Sequence, residues 1–187
     1  MSFETTTRDR LVSAAATLFW RKGYHGTGLA EVLAEAGVPK GSLYHHFPDG
    51  KADLAKAAAD WTADFLITII NDAFEPASDF RAGAAHYCNK MAKLFQISDA
   101  ADICPISALL FDGPEDPEFR AHAERVFQRM IDVISGHGRR LALPEGEAVA
   151  QAEILLVAIE GGWTLARARR KPDILRMLAK RLFPPEA

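Results

Sequence analysis

The chain has few of the features that mark secreted or membrane proteins. It contains only two cysteines, Cys88 and Cys104, which excludes a disulfide framework. No apolar run reaches the ~18 residues of a membrane span. The N-terminal residues are polar and no apolar segment precedes Leu11, which argues against a signal peptide. We therefore expect a cytoplasmic protein that does not enter a membrane.

The sequence also lacks the motifs of common enzymes and metal sites. It has no Gly-rich phosphate loop, no CxxC pair and no recognisable nucleophile motif. His45 and His46 are adjacent, so on a helix they would point about 100° apart and could not easily share a metal. We predict no enzymatic activity, no cofactor and no metal site. A small all-α enzyme that uses His86 or Cys104 is a remote alternative, and it would need a paired base or metal ligand.

A strong positive charge is absent as well. The formal net charge is −3 over 187 residues, which excludes a generally basic nucleic-acid coat. Residues 1–56 contain seven Lys or Arg and six Asp or Glu, whereas the remainder contains fifteen and nineteen. The N-terminal third is thus the less acidic part. Any affinity for nucleic acid must come from the local placement of a few side chains.

What the sequence does contain is helical periodicity. Ala, Leu, Glu and Arg dominate, β-branched residues are sparse, and no convincing period-two run is present. We predict an all-α fold in which glycines and prolines separate the helices, with Gly136 and Gly138 ending the seventh. Nine helices are predicted, at about 7–22, 27–36, 40–46, 51–74, 79–96, 105–111, 116–135, 145–170 and 172–183.

Residues 27–47 carry the most specific local pattern. Thr27 is predicted to cap a short amphipathic helix that ends at Gly37, and Pro39 suits the first turn of the next helix. Two helices joined by a tight glycine-containing turn form a helix-turn-helix motif, whose second helix enters the major groove of DNA. Similar helical corners also occur in all-α proteins that do not bind DNA.

The second helix of this pair has suitable side chains at its N-terminal end. Lys40 can reach a phosphate or a guanine, and Gly41 lets the backbone come close to DNA. Ser42 can donate to a base or a phosphate. Tyr44 can contact a phosphate through its hydroxyl or a thymine methyl through its ring, and His45 can read a base edge.

Two further positions extend this predicted surface. Lys51 begins the next helix, where its ammonium and the backbone N–H groups can approach a phosphate together. Thr27 is predicted to lie over the DNA backbone. Leu43 and Phe47 are four residues apart and should pack into the core.

The motif resembles the DNA-binding domain of the TetR family of transcriptional repressors. The agreement covers some thirty residues and is specific. The matching residues are Gly23-Tyr24, Thr27, Leu29, Ala36-Gly37-Val38, Lys40-Gly41-Ser42-Leu43-Tyr44, His46-Phe47 and Lys51. Pro48-Asp49-Gly50, which precedes Lys51, is one residue longer than the commonest family spacing.

The resemblance implies a division of roles among the predicted DNA contacts. Residues that would contact mostly phosphates are Thr27, Ser42, Tyr44, His46 and Lys51. Residues at positions where such repressors read bases are Lys40, Gly41 and His45. The resemblance also implies a helix-turn-helix domain over residues 1–52, followed by a ligand-binding and dimerisation domain over 53–187.

The second part has inward-facing aromatic and sulfur-containing side chains at helical spacing. They either fill a core or line a ligand cavity between helices. These residues are Phe65, Tyr87, Met91, Phe95, Phe111, Phe119, Phe127, Met130 and Trp163. The residues predicted to bind a ligand are His86, Cys88, Asn89, Cys104, Phe111, Phe127 and Trp163.

Residues 103–106 and 159–169 resemble one branch of the family, the LmrA/YxaF-type regulators. This resemblance implies a small apolar or aromatic effector and a homodimer. Two stripes on the last two helices are candidates for the dimer contact, although each could instead face its own subunit. The stripes are Ile154, Leu155, Ala158, Gly162 and Leu165, and Leu175, Leu178, Ala179 and Leu182.

The function implied is that of a dimeric repressor that binds a palindromic operator in double-stranded DNA and is released by an effector. A TetR-type activator and a regulator without a small ligand are the alternatives. A helical adaptor would leave the residues from Lys40 to Lys51 without a purpose.

Overall fold

The structure is a computed structural model that describes residues 6–98, 104, 106–107 and 117–184. All the regular elements in these ranges are α-helices, which confirms the all-α prediction. The helices are α1 Thr7–Gly26, α2 Leu29–Ala36, α3 Lys40–His46, α4 Lys51–Phe74, α5 Phe80–Ile97, α6 Pro117–Arg140, α7 Glu145–Arg169 and α8 Asp173–Leu182.

The described ranges therefore contain eight helices where nine were predicted. The predicted short helix from Pro105 to Phe111 lies outside the described residues, apart from Ile106 and Ser107. Phe111, one of the predicted ligand residues, falls there too.

The chain divides into two compact units. The first comprises Met1–Asp64 and Pro105–Val126, and the second comprises Phe65–Cys104 and Phe127–Ala187. Both α4 and α6 contribute residues to each unit. The division along the first segment falls inside α4.

In the first unit, α1 begins at a capping box. The Thr6 hydroxyl accepts the Asp9 N–H at 3.1 Å, and the Asp9 carboxylate accepts the Thr6 N–H at 3.2 Å. Hydrogen bonds from Thr6 lower the pKa of the Asp9 carboxyl. The apolar side of α1 is buried, and its helical backbone is interrupted at Gly23 (φ 70°), where the sequence predicts its end.

In the second unit, α5, α7 and α8 pack together around small residues. A Cβ at Gly162 would lie 2.9 Å from Leu178 Cδ1, so the glycine permits close approach of α7 and α8. Much of both predicted dimer stripes is therefore buried against its own subunit. The buried members are Leu155, Gly162, Leu175, Leu178 and Ala179.

The predicted end of the seventh helix at Gly136 and Gly138 is wrong, because α6 continues through both glycines to Arg140. A Cβ at Gly138 would lie 3.1 Å from Ala148 Cβ, so this glycine permits close packing against α7. Phe65 was also predicted to face inward, but its side chain is 43% exposed.

By length and composition alone, α7 could also span a membrane. Its buried residues include Leu155, Ile159 and Trp163, which belong to the core of the second unit. The helix also carries Glu153 and Glu160. This arrangement is typical of a core helix in a globular domain.

Candidate functional site

The turn between α2 and α3 is fixed by backbone geometry and by one arginine. Gly37 adopts a left-handed conformation (φ 62°, ψ 40°), and its N–H donates to Ala34 O at 3.1 Å. Arg10 Nη2 donates to Ala36 O at 2.5 Å and to Gly37 O at 2.8 Å. These bonds tie α1 to the turn and thereby fix the point at which α3 starts.

One face of α3 is buried and the other is open to solvent. Leu43 and Phe47 are buried, which confirms the predicted core positions. On the opposite face, Tyr44 is 53% exposed, and Lys40 and His45 are exposed beside it.

Small and polar residues complete this open face. A Cβ at Gly41 would meet no atom within 4 Å, so the backbone of α3 is unobstructed there. Ser42 and His46 are half-buried at its edge. Because α3 contains no Asp or Glu, no carboxylate of this helix would oppose the approach of an anion.

The loop before α4 accommodates its extra residue through a glycine and a capping bond. Gly50 has φ 66°, and its N–H donates to Phe47 O at 2.9 Å. Asp49 N–H donates to Asp53 Oδ2 at 2.9 Å. Lys51 therefore begins α4 despite the longer spacing, with Nζ 4.4 Å from the centre of the Tyr24 ring.

The predicted capping role of Thr27 is wrong. The residue that caps α2 is Gly28, which has no side chain to accept a hydrogen bond. Thr27 is only 2% exposed, and its hydroxyl donates to Gly23 O at 2.9 Å. This hydroxyl therefore holds the turn between α1 and α2 and is not presented on the surface.

The structure brings only some of the predicted ligand residues together. Cys88, Cys104 and Trp163 are buried in the second unit, and Phe127 is half-buried. His86 and Asn89 lie on the exposed side of α5.

His86 is committed to another contact, because its Nδ1 lies 3.2 Å from Ala73 O near the end of α4. Neither His86 nor Asn89 is placed for an interior site, because both side chains are exposed, whereas Tyr87 and Cys88 between them are buried.

Two further residues of the second unit, the buried Tyr87 and the half-buried Glu160, were not predicted as ligand-binding residues. Tyr87 is fully buried, and its hydroxyl has no hydrogen-bond partner among the described residues. Glu160 lies in the same unit, where its Oε1 accepts a hydrogen bond from Cys104 Sγ at 3.0 Å. The helical spacing of apolar residues predicted an inward-facing Tyr87, but it could not show that the hydroxyl lacks a partner.

This interior is apolar apart from those groups. Burial raises the pKa of the Tyr87 phenol well above its usual range, and nearby Cys104 and Glu160 raise it further. Burial also raises the pKa of the Cys88 thiol to about 11, so this thiol is protonated at neutral pH. Trp163 packs edge-on against Phe95, with ring centres 5.3 Å apart. The chemistry offered here is aromatic contact and hydrogen bonding by a neutral phenol.

The described residues do not form a metal-binding site. No group of three or more His, Cys, Asp or Glu side chains is placed among them to hold a metal ion.

The comparison with known families agrees with the geometry of both units. Residues 11–58 match the family model "Bacterial regulatory proteins, tetR family". Residues 81–181, more than half of the chain, match the model "Transcriptional regulator LmrA/YxaF-like, C-terminal domain". The chain belongs to the TetR family. It is a DNA-binding transcriptional regulator of the LmrA/YxaF-like type.

Curated TetR-family relatives match nearly end to end. The chain is 29% identical over 160 residues to the HTH-type transcriptional regulator LmrA of Bacillus subtilis, covering 85% of each protein. It is 28% identical over 183 residues to YxaF of the same organism, covering 97% of this chain and 96% of YxaF. An uncharacterized HTH-type regulator of Mycobacterium tuberculosis is 30% identical over 181 residues, covering 94% of this chain and 91% of that protein.

Solved structures show the same TetR fold. A regulatory protein TetR from Rhodobacter sphaeroides superposes with a TM-score of 0.78 at 23% identity, covering 94% of this chain and 96% of that one. Reduced NemR from Escherichia coli superposes with a TM-score of 0.77 at 23% identity, covering 94% and 95%. TetR regulators usually act as dimers.

Proposed function

We propose that the protein is a homodimeric repressor that binds a palindromic operator and is released by a small apolar or aromatic effector. The observation that carries the DNA-binding part is the division of α3 into a buried face and an open face. Leu43 and Phe47 hold the helix on its domain, while Lys40, Tyr44 and His45 remain available to a major groove.

The proposed contacts follow from where these side chains lie. Lys40 and Gly41, at the N-terminal end of α3, and His45, on its open face, contact bases. Residues that contact phosphates are Ser42, Tyr44, His46 and Lys51. Thr27 supports the surface by holding the turn through Gly23.

Replacement of Tyr44 tests this surface. Tyr44→Ala is expected to weaken binding to a DNA fragment selected from genomic DNA by the wild-type protein. Because the side chain is exposed, the thermal unfolding temperature should stay close to that of wild type. Lys93→Ala, an exposed change on α5 of the second unit, serves as the control. Wild-type affinity for Tyr44→Ala in fluorescence anisotropy refutes the assignment.

A second copy of the chain is the proposed partner of α7. The exposed line on this helix contains Ile154, Val157, Gly161 and Leu165, at spacings of three and four residues. Val157 is 72% exposed, and a Cβ at Gly161 would meet nothing within 4 Å, so another helix can approach closely. A two-fold contact between such lines would place two α3 helices on one palindrome.

A charged side chain introduced among the exposed apolar residues of α7 tests the proposed dimer. Val157→Glu is expected to give a monomer in sedimentation velocity and to weaken operator binding, since each half-site then binds separately. Ile97→Glu is the matched control, because Ile97 is also 72% exposed but lies on α5. Equal dimer content in wild type and Val157→Glu argues against this interface.

The proposed effector site lies beside Tyr87 in the second unit. A buried hydroxyl without a partner costs about 1–3 kcal/mol, and a ligand acceptor at that point would recover it. Phe95 and Trp163 supply aromatic contact in the same unit. A ligand that binds one placement of α4 better than another would couple this site to DNA, typically by ~1–3 kcal/mol.

Tyr87→Phe tests the effector site. We expect it to keep its operator affinity and to need more effector for release, using a compound found by thermal shift against a panel of aromatic compounds. Lys93→Ala is the control, because Lys93 is exposed on the same helix. Unchanged effector sensitivity in Tyr87→Phe would remove this residue from the site.

A further inference from the structure

Tyr24 lies at the end of α1, where the chain turns towards α2. Gly23 leaves helical geometry at φ 70° and ψ 173°, so Tyr24 does not continue the register of α1. The Thr27 hydroxyl donates to Gly23 O at 2.9 Å, and the Thr27 N–H donates to Tyr24 O at 3.4 Å. The backbone on both sides of Tyr24 is therefore fixed by the turn.

Three aromatic rings contact the Tyr24 ring. The ring of the neighbouring His25 lies edge-on to it with ring centres 5.3 Å apart, and the other two rings are those of Phe19 and Phe119. Phe19 of α1 stacks on the Tyr24 ring with ring centres 5.7 Å apart and an interplanar angle of 19°. Phe119 of α6 meets it edge-on at 6.4 Å and is itself fully buried. Offset stacks and edge contacts are the favoured arrangements of aromatic pairs. The orientation of the Tyr24 ring thus depends on two different helices.

Lys51 places its ammonium over the face of this ring. The distance from Nζ to the ring centre is 4.4 Å, well inside the ~6 Å range of a cation–π contact. A lysine side chain has four rotatable bonds, and holding its head group near one place lowers the entropy lost when it meets a phosphate. The ring face attracts the charge and does not neutralise it, so the ammonium can still attract an anion.

The first turns of α6 contact α4 through polar side chains in the same unit. Lys56 Nζ lies 2.6 Å from Glu118 Oε1, and His122 Nε2 lies 3.3 Å from Asp60 Oδ1. Phe119 lies between Glu118 and His122 in the sequence, so these contacts fix its distance from α4. Its edge contact with Tyr24 is therefore set by the placement of α6.

We propose that Tyr24 is a positioning residue that holds the Lys51 ammonium for its phosphate contact, and that Phe119 sets the position of the Tyr24 ring. The inference rests on the proposed phosphate contact of Lys51. If Phe119 sets the position of the Tyr24 ring, the Lys51 contact with DNA depends on α6, a helix that also contributes residues to the second unit. The contact with the ammonium is made by the face of the ring.

The first test uses the free protein and does not depend on DNA. A ring face close to a side chain shifts its proton resonances upfield, so the Lys51 Hε signals should move downfield in Tyr24→Leu and stay in place in Tyr24→Phe. Phe119→Leu should move them in the same direction as Tyr24→Leu. Unchanged Lys51 signals in Tyr24→Leu overturn the positioning role, and unchanged signals in Phe119→Leu overturn the part assigned to α6.

The second test is a double-mutant cycle on a DNA fragment selected by the wild-type protein. Tyr24→Leu should weaken binding about three- to ten-fold when Lys51 is present, and by less than about twofold in a Lys51→Ala background. Tyr24→Phe should restore wild-type affinity. Equal losses in both backgrounds contradict positioning through Lys51. If Lys51→Ala itself binds like wild type, the proposed phosphate contact fails, and the resonance test still decides whether the ring holds the lysine.

Discussion

At the scale of single residues, glycine has two different uses in the described part of this chain. Gly37 supplies a left-handed turn, whereas Gly138 and Gly83 make room for a neighbour. The sequence predicts the first use correctly because Gly37 follows an amphipathic helix and precedes Val-Pro. It misreads Gly138 as a helix end, because close approach to Ala148 depends on a helix that begins later in the chain. Local pattern cannot distinguish a turn from a close contact.

Gly83 gives a direct test of close packing. A Cβ there would lie 2.2 Å from a Phe74 ring carbon, inside the core of the second unit. Gly83→Ala should lower the free energy of unfolding by about 1–3 kcal/mol, as overpacking of a core does. Gly146→Ala is the control, because nothing lies within 4 Å of its Cβ position. Urea denaturation measures both, and equal stability of Gly83→Ala and wild type contradicts this packing.

At the scale of helices, apolar periodicity predicts which elements exist, but not always what they face. The bounds of α3, α4 and α5 lie within one or two residues of the predictions. The α8 stripe of Leu175, Leu178 and Ala179 fits a dimer contact and a subunit core equally well in the sequence. The close approach of Gly162 to Leu178 shows that this stripe packs in the core of its own subunit. Because that contact joins two helices, the sequence of α8 alone does not reveal it.

The junction between the end of α4 and α6 predicts a pH dependence. His137 stacks on Phe74, its Nε2 lies 2.8 Å from Asn71 Oδ1, and Arg140 donates to Phe74 O at 2.7 Å. Burial lowers the pKa of His137, the positive charge of Arg140 lowers it further, and Glu75 opposes the shift. The folded state thus favours the neutral imidazole of His137 over the protonated one.

Stability should therefore fall as the pH is lowered through the ordinary histidine pKa near ~6.5, because the unfolded chain then binds the proton more readily. The loss ends once the pH falls below the lower pKa of the folded state. Urea denaturation at several pH values between about 5 and 8 measures it, and His137→Gln should remove this part of the slope. An identical pH profile for both proteins would contradict the account.

At the scale of the whole molecule, the helix-turn-helix could be predicted from the sequence far better than the surroundings of the proposed effector site. The helix-turn-helix is local, so residues from Lys40 to Lys51 are placed by one turn and two short helices. The proposed effector site combines α5, α7 and Cys104, which are far apart in sequence. The grouping of Pro105–Val126 with the N-terminal unit is likewise a long-range property that no local pattern carries.

The central claim is that the open face of α3 and Lys51 bind DNA through charged contacts with phosphates. The salt dependence of binding tests this claim most directly. The affinity for a selected operator should fall steeply with salt in a log–log plot, because bound phosphates release counterions. Lys51→Ala should reduce the slope by about one if Lys51 contacts one phosphate. Lys93→Ala, on α5, should leave the slope unchanged. A flat salt dependence, or the same slope in wild type and Lys51→Ala, would contradict the account.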